Sequence, residues 1–305
     1  RRKLPGSDPR WTAACVDRMN RMILRDRNHA CVFFYSLGNE AGGGENFAIM
    51  RREAEKLDNT RPFHYEGEHS PASSDVISRM YPDGAMMQKL ANKEHILPPK
   101  GLINLLAADN KEIKPELFAT MPVLLCEFAH AMQNSLGNFK EYTDMFETYP
   151  HFCGGYIWDF VDQAIRRKTP AGDEWLYGTD FEEVYDPQNG LKNRFTTGSN
   201  AYFCANGIVG ADRQPHPSAY EVKHCYRTLR IEAEDLPAGR FTLRNLQMFS
   251  DLSACKLVWR LAANGEVFAE GAVPKKDYGR TQPGKTASLQ IPLPAEMPAG
   301  AEITL

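Results

Sequence analysis

No run of about 18 or more consecutive apolar residues occurs in this chain, so nothing in it reads as a membrane-spanning helix. A strong charge of either sign is also missing. The 36 basic and 39 acidic residues leave a formal net charge of −3, too weak a field to gather a polyanion or an anionic bilayer. Nucleic acid and membrane are therefore not expected partners. Paired C-x-x-C spacing is absent: Cys15, Cys31, Cys126, Cys153, Cys204, Cys225 and Cys255 are odd in number and most stand beside apolar residues. Buried free thiols are expected rather than zinc ligands. Internal repeats are lacking, and Arg1 to Pro9 carry none of the apolar stretch of a signal peptide. The chain does not open with Met, so a targeting segment on a longer parent stays open; a cytoplasmic location is expected, with a periplasmic one as the alternative.

What is present alternates. Asp8-Pro9 supplies a helix cap followed by proline at the first helical position, and Val16, Met19 and Met22 or Ile23 recur at helical spacing, predicting a helix over about 9–25. Residues 30–37 are apolar, β-branched and aromatic, and run into Gly38-Asn39-Glu40, as a buried strand with a polar tip would. Phe47, Met50, Ala54 and Leu57 predict a second helix, and strands follow at 61–67 and 75–81. The stretch 82–122 is punctuated by Pro and Gly and gives no placeable helix. A further strand, 123–128, ends in a carboxylate, and Phe139, Tyr142, Phe146 and Tyr149 share one helical face after it. Residues 153–161 complete a fifth strand, whose Gly154-Gly155 pair permits close backbone approach.

Buried strands alternating with amphipathic helices imply a parallel α/β sheet, and polar residues at strand C-termini imply the working face of a (β/α)8 TIM barrel. A whole barrel needs eight strands in about 250 residues. Five strands precede the change of pattern here, so a barrel truncated to about its last five strands is expected. A polar stretch over about 166–202 is expected to be an extended surface loop. From about 229, short alternating segments such as 241–246, 256–261 and 287–291 separated by turn residues predict an all-β, immunoglobulin-like sandwich. The expected domains are thus 1–228, barrel, and 229–305, a sandwich that is possibly incomplete.

Two acids stand out because both end apolar strands. Glu40 and Glu127 would reach the barrel mouth on separate strands, as the paired carboxylates of glycoside hydrolysis must. Burying a carboxylate after Val123, Leu124, Leu125 and Cys126 is costly unless it serves a purpose. The bland alternative makes Glu40 a solvated or capping residue before the helix that starts near Glu45. Around the pair, Trp158 and Tyr81 offer flat apolar faces, and Asn39, His130, Asn134 and Asn206 offer hydrogen bonds to sugar hydroxyls. Trp158 reads equally as core, and His130 as a satisfied buried imidazole. Glu66 and Glu68 also follow a strand, but they lie too close in sequence to face each other from different strands, and they are assigned supporting roles.

The segments Tyr35-Ser36-Leu37-Gly38-Asn39-Glu40, Leu125-Cys126-Glu127-Phe128-Ala129-His130-Ala131-Met132-Gln133-Asn134-Ser135, Gly154 to Gln163, Asn206-Gly207-Ile208-Val209 and Asp212 to Pro217 closely resemble, in order, bacterial β-galactosidases of glycoside hydrolase family 2. The resemblance covers about residues 8–228, and the following sandwich resembles the family's fourth domain. It implies a retaining exo-β-galactosidase, acting on terminal galactose of β-galactosides such as lactose, with Glu40 as general acid/base and Glu127 as nucleophile. It also implies Tyr81 beside the nucleophile, His130 on the galactose and Trp158 against its apolar face. Asn39 and Asn206 are placed in the substrate site as hydrogen-bonding partners of the sugar, as read above from the residues. Magnesium would touch Glu40 together with ligands upstream of this chain, and sodium would be held partly by the Phe203 carbonyl and the Asn206 side chain.

The same resemblance implies a longer, homo-oligomeric parent, because the upstream magnesium ligands and first barrel strands precede residue 1; the chain by itself is expected to be inactive. Gln133 and Asn138 depart from the family in standing where relatives often have Gly, and the loop over about 183–202 is longer. Two alternatives stay open: a related family 2 glycosidase, β-glucuronidase foremost, and a non-catalytic carbohydrate-binding fragment.

Overall fold

The structure, a computed structural model, describes residues 5–98, 112–176 and 204–305. The chain divides into two units, Arg1–Cys225 and Tyr226–Leu305. Phe203 and the loop over 183–202 lie outside the described residues.

In the first unit Asp8 caps a short 3-10 turn by accepting from the Arg10 N–H at 3.0 Å, with Pro9 at its first position. Helix α1 (Thr12–Asp26) follows and buries Met19 and Ile23, one turn apart. Strand β1 (Tyr35–Ser36), helix α2 (Glu45–Glu55) and strand β2 (Phe63–His64) come next, and β1 and β2 pair in parallel. Tyr35, Leu37, Phe47, Met50, Ala54, Phe63 and Tyr65 join Met19 and Ile23 in one core. Burial of each large side chain contributes roughly 1.5–3 kcal/mol, which is what fixes two-residue strands between two helices.

Strands β3 (Ile77–Met80), β4 (Val123–Phe128) and β5 (Phe152–Ile157) form a parallel sheet in sequence order. The Asp75 N–H donates to the Phe63 carbonyl at 2.8 Å, and the Asp75 carboxylate accepts from the Phe63 N–H at 2.7 Å. These bonds carry the run from β2 into β3. Helix α3 (Gly84–Ala91), capped by the Asp83 side chain, and helix α4 (Phe139–Thr148) cover this sheet. The aromatic face predicted for α4 packs as expected: Phe139, Tyr142 and Phe146 all lie with ring centroids 5.4–5.6 Å from Phe128. Helix α5 (Pro217–Cys225) closes the unit.

Several sequence-based expectations need correction. The strand expected over 30–37 shrinks to Tyr35–Ser36, because β1 pairs on one side only and Phe33 is left 65% exposed. The strands expected over 61–67 and 75–81 shorten in the same way, and that over 153–161 stops at Ile157. In the stretch 82–122, whose helices the sequence left unplaced, α3 takes Gly84–Ala91. Residues 165–176 are not an extended loop but a hairpin, β6 (Ile165–Thr169) and β7 (Gly172–Leu176), laced by Arg166–Asp173 and Arg167–Glu174 ion pairs. The seven cysteines are free thiols, but only Cys225 is buried, and Cys31 and Cys153 are exposed. Successive strand residues face opposite ways, so an apolar neighbour in sequence says little about a cysteine's own burial.

The second unit is all-β apart from one short helix. Strands β8 (Leu229–Asp235), β9 (Arg240–Asn245) and β12 (Thr286–Gln290) form one antiparallel sheet. Strands β10 (Val258–Ala263), β11 (Glu266–Ala272) and β13 (Ile303–Thr304) form another. Phe241, Leu243, Leu252, Val273, Tyr278, Leu289 and Ile291 are its buried core. Among the described residues no helix is long and apolar enough to cross a membrane.

Candidate active site

The tips of β1 to β5 carry the residues of interest. After β1 the chain passes through Gly38 and Asn39 to Glu40, which adopts a left-handed backbone (φ +48°). The Glu40 N–H donates to Glu66 Oε1, just past β2, at 2.6 Å. Tyr81 after β3 (φ +45°) and Ala129 after β4 (φ +49°) are left-handed too. Three of the strand ends thus turn through a conformation that L side chains avoid, at roughly 1–2 kcal/mol each.

Glu127 is the centre of the described contacts. Its Oε2 accepts the Tyr81 hydroxyl at 2.7 Å, and its carbonyl accepts the Tyr81 N–H at 2.8 Å, so side chain and backbone register together. The His130 ring lies 5.6 Å from the Tyr81 ring, centroid to centroid. Burial pushes the Glu127 carboxyl above the ordinary carboxylate range; the Tyr81 hydrogen bond opposes the rise and the charge of Glu40 adds to it. Tyr81 is shifted far upward, first by burial and then by its bond to Glu127, so it stays a donor. Burial lowers the His130 imidazole, with Asp159 pulling the other way.

Trp158 is placed by its backbone: its N–H donates to the Phe128 carbonyl at 3.1 Å and its carbonyl accepts the Ala131 N–H at 2.7 Å. Gly155 makes this possible, since a Cβ there would stand 2.9 Å from Leu125 Cβ, whereas Gly154 is required by its φ of +107°. The Asn206 carbonyl accepts the Asp159 N–H at 2.8 Å, which docks the buried Asn206 beside the end of β5. Asn39 and Glu127 share a cleft of about 620 Å3 with Ser36, His64, Cys126 and Tyr156. Its wall also includes the apolar Val32, Phe33, Phe34 and Leu124, while Glu40, Tyr81, His130 and Trp158 do not line it.

Tyr81 therefore joins Glu127 and His130, bonded to Glu127 and with its ring beside that of His130, and the charge of Glu40 reaches Glu127. Asn39 opens on the same cleft, Trp158 and Asn206 are joined through Asp159, and Asn134 is exposed. Sequence reasoning missed Asp159. Its Oδ2 accepts from Gln163 at 2.7 Å, its buried Oδ1 has no hydrogen-bond partner, and its charge reaches Tyr81 and His130. The available signal was an acid following an aromatic at a strand end. The Glu66 side chain was assigned only general support, yet it is fully buried and its carboxyl is raised by burial, then by Glu127 and Glu40. Among the described residues no three His, Cys, Asp or Glu gather to hold a metal. Glu40 and Asn206 offer single ligands, which do not by themselves complete a magnesium or sodium site.

Parallel strands alternating with helices, in sheets of two and three strands with acids and aromatics at their C-terminal ends, form a TIM-barrel-like β/α arrangement. The profile of the glycosyl hydrolases family 2 TIM barrel domain matches residues 1–231, and that of β-galactosidase domain 4 matches residues 241–305. The chain belongs to glycoside hydrolase family 2, a family of hydrolases. A β-galactosidase of Streptococcus thermophilus is 35% identical over 300 residues, covering 94% of this chain and 26% of that protein. One from Priestia megaterium is 35% identical over 273 residues, covering 88% and 23%. The chain thus spans about a quarter of the length of these relatives. Among solved structures, a β-galacturonidase of Eisenbergiella tayi aligns at 19% identity and a TM-score of 0.41, covering 73% of this chain and 38% of that one.

Proposed function

We propose that this chain carries the catalytic carboxylates of a retaining β-galactosidase. The observation that carries the reading is Glu127, a carboxylate at a strand tip that is oriented by the Tyr81 hydroxyl and shares its field with Glu40. The β-galactosidase profile over the second unit and the names of the relatives support galactose as the sugar.

In the first step the Glu127 carboxylate attacks the anomeric carbon while Glu40 gives its proton to the glycosidic oxygen; the C–O bond to the aglycone breaks and a galactosyl ester forms. Glu40, now ionised, takes a proton from water, which attacks the same carbon and releases Glu127. Two inversions give net retention. The Tyr81 bond holds one oxygen of Glu127, leaving the other to attack, and His130 and Trp158 are assigned to the hydroxyls and the apolar face of the sugar. Magnesium at Glu40, sodium at Phe203 and Asn206, and assembly of the parent into an oligomer belong to the same proposal.

The test is hydrolysis by the protein that carries this chain. Aryl β-galactoside should be cleaved with retention, aryl β-glucuronide should not, and Glu127→Gln should abolish turnover with the melting temperature unchanged. Preference for the glucuronide would reassign the sugar. Full activity of the variant, or inversion at the anomeric centre, would remove the mechanism; no hydrolysis of any glycoside would leave a non-catalytic carbohydrate-binding role.

A further inference from the structure

Glu66 is the one carboxylate-bearing residue among the described residues that is buried, with no exposed surface. Its Oε1 accepts the Glu40 N–H at 2.6 Å, while its Oε2, equally buried, has no hydrogen-bond partner. A buried carboxyl is unfavourable unless its oxygens are used, and the use seen here is a bond to the backbone of residue 40. The neighbouring Tyr65 acts on the same segment: its hydroxyl donates to the Gly42 carbonyl, and its ring stacks on Phe47 with centroids 3.9 Å apart. Gly67 completes the turn so tightly that a Cβ there would stand 2.6 Å from the Tyr65 hydroxyl. Two consecutive residues past β2 therefore hold the segment from Glu40 to Gly42 at both of its ends.

We propose that Glu66 is the positioning residue for Glu40, gripping its N–H so that residue 40 stays left-handed and its side chain is aimed at the glycosidic oxygen. The proposal rests on the reading of Glu40 as acid/base. Freed of the bond, residue 40 can relax to an ordinary φ, which swings its Cα–Cβ direction and takes the acid away from the leaving group. Glu66 itself touches no reacting atom.

The experiment compares Glu66→Gln, which keeps an acceptor oxygen at the same reach, with Glu66→Asp, which draws it back by one methylene. Glu40→Gln serves as reference, and all are made in the protein that carries this chain. Second-order rates are read on methyl β-galactoside, whose leaving group needs protonation, and on 2,4-dinitrophenyl β-galactoside, whose leaving group does not. Glu66→Asp should lose about 10²-fold on the methyl substrate and less than about 3-fold on the dinitrophenyl one, the split shown by Glu40→Gln. Glu66→Gln should stay within about 3-fold of wild type on both. Should Glu66→Asp fail to fold, Glu66→Met, similar in volume and without the acceptor, takes its place with the same expected split. Equal losses for Gln and Asp, equal losses on the two substrates, or no loss for Asp would overturn the assignment. If Glu40→Gln shows no leaving-group dependence, Glu40 is not the acid; that failure is distinct from a Glu66 failure, and the role of Glu66 falls with it.

Discussion

Replacing Tyr81 by Phe removes the hydroxyl that donates to Glu127 at 2.7 Å and leaves the ring in place. A hydrogen bond to a charged group contributes about 1.5–3 kcal/mol, and since Tyr81 is 41% exposed the lower end applies, about 1.5 kcal/mol or about one pH unit. The bond holds the Glu127 carboxyl down; without it only burial and the charge of Glu40 remain, and both push it up. In the proposed mechanism Glu127 must be ionised to attack, so activity is lost as pH falls through its pKa. A raised pKa moves that loss to higher pH. The acid limb of the kcat/KM profile for an aryl β-galactoside should therefore rise by about one pH unit in Tyr81→Phe, with about a tenfold loss at the plateau from the freed carboxylate. An acid limb that stays put or moves down, in a variant with unchanged circular dichroism, would refute the assignment of Tyr81 as the group that orients and ionises Glu127.

Glu40→Gln should move the same limb the opposite way, to lower pH, because it deletes the neighbouring charge that raises Glu127; a pH-rate profile on a dinitrophenyl galactoside shows this. Burial pushes His64 down to about 4 from its ordinary 6.5, with its ring nitrogens on Ser36 and Ser78 at 2.9 and 2.8 Å. The unfolded chain binds the proton first, so stability present above pH 6.5 should drain away toward pH 4 by up to about 3 kcal/mol, and His64→Gln should flatten the pH dependence of the melting temperature. Gly155→Ala places a methyl 2.9 Å from Leu125 Cβ and 3.0 Å from the Leu125 carbonyl oxygen; a loss of about 1–3 kcal/mol is expected in chemical denaturation, with activity falling as Trp158 is displaced. Gln133 and Asn138, the two positions where relatives often have Gly, both have φ +56°. Gln133→Gly should raise stability by about 1 kcal/mol, read as a higher melting temperature, because glycine alone tolerates that backbone without strain.

Helices were legible where spacing and caps agreed, as with Asp8-Pro9 before α1 and the Phe139-Tyr142-Phe146 face of α4. Strand existence and order were legible from apolar runs, but strand length was not: residues 30–34 are as apolar as a buried strand, and whether they pair depends on a neighbour the local sequence does not reveal. Helix α3 could not be placed although Asp83 caps it, because Pro and Gly punctuate the stretch and its apolar periodicity is weak. The hairpin of β6 and β7 escaped because its strands are polar on both faces and are tied by cross-strand charges, which leave no apolar alternation to read. In the site, the acids at strand tips were visible as types and positions. The grip of Glu66 on a backbone N–H was not, since hydrogen bonds between loops 26 residues apart leave no periodic trace.

The left-handed residues at Glu40, Tyr81 and Ala129 place the strand-tip acids and their neighbours on strained backbone. Such a conformation persists only while the packing beneath it over-determines the path of the chain. Loosening the aromatic nest around Phe128 would let the corners at Tyr81 and Ala129 unwind, while the corner at Glu40 rests on the separate core of Tyr35, Phe47, Phe63 and Tyr65. Heat or a mild denaturant should accordingly silence turnover at a point where the helices still give their full circular dichroism signal.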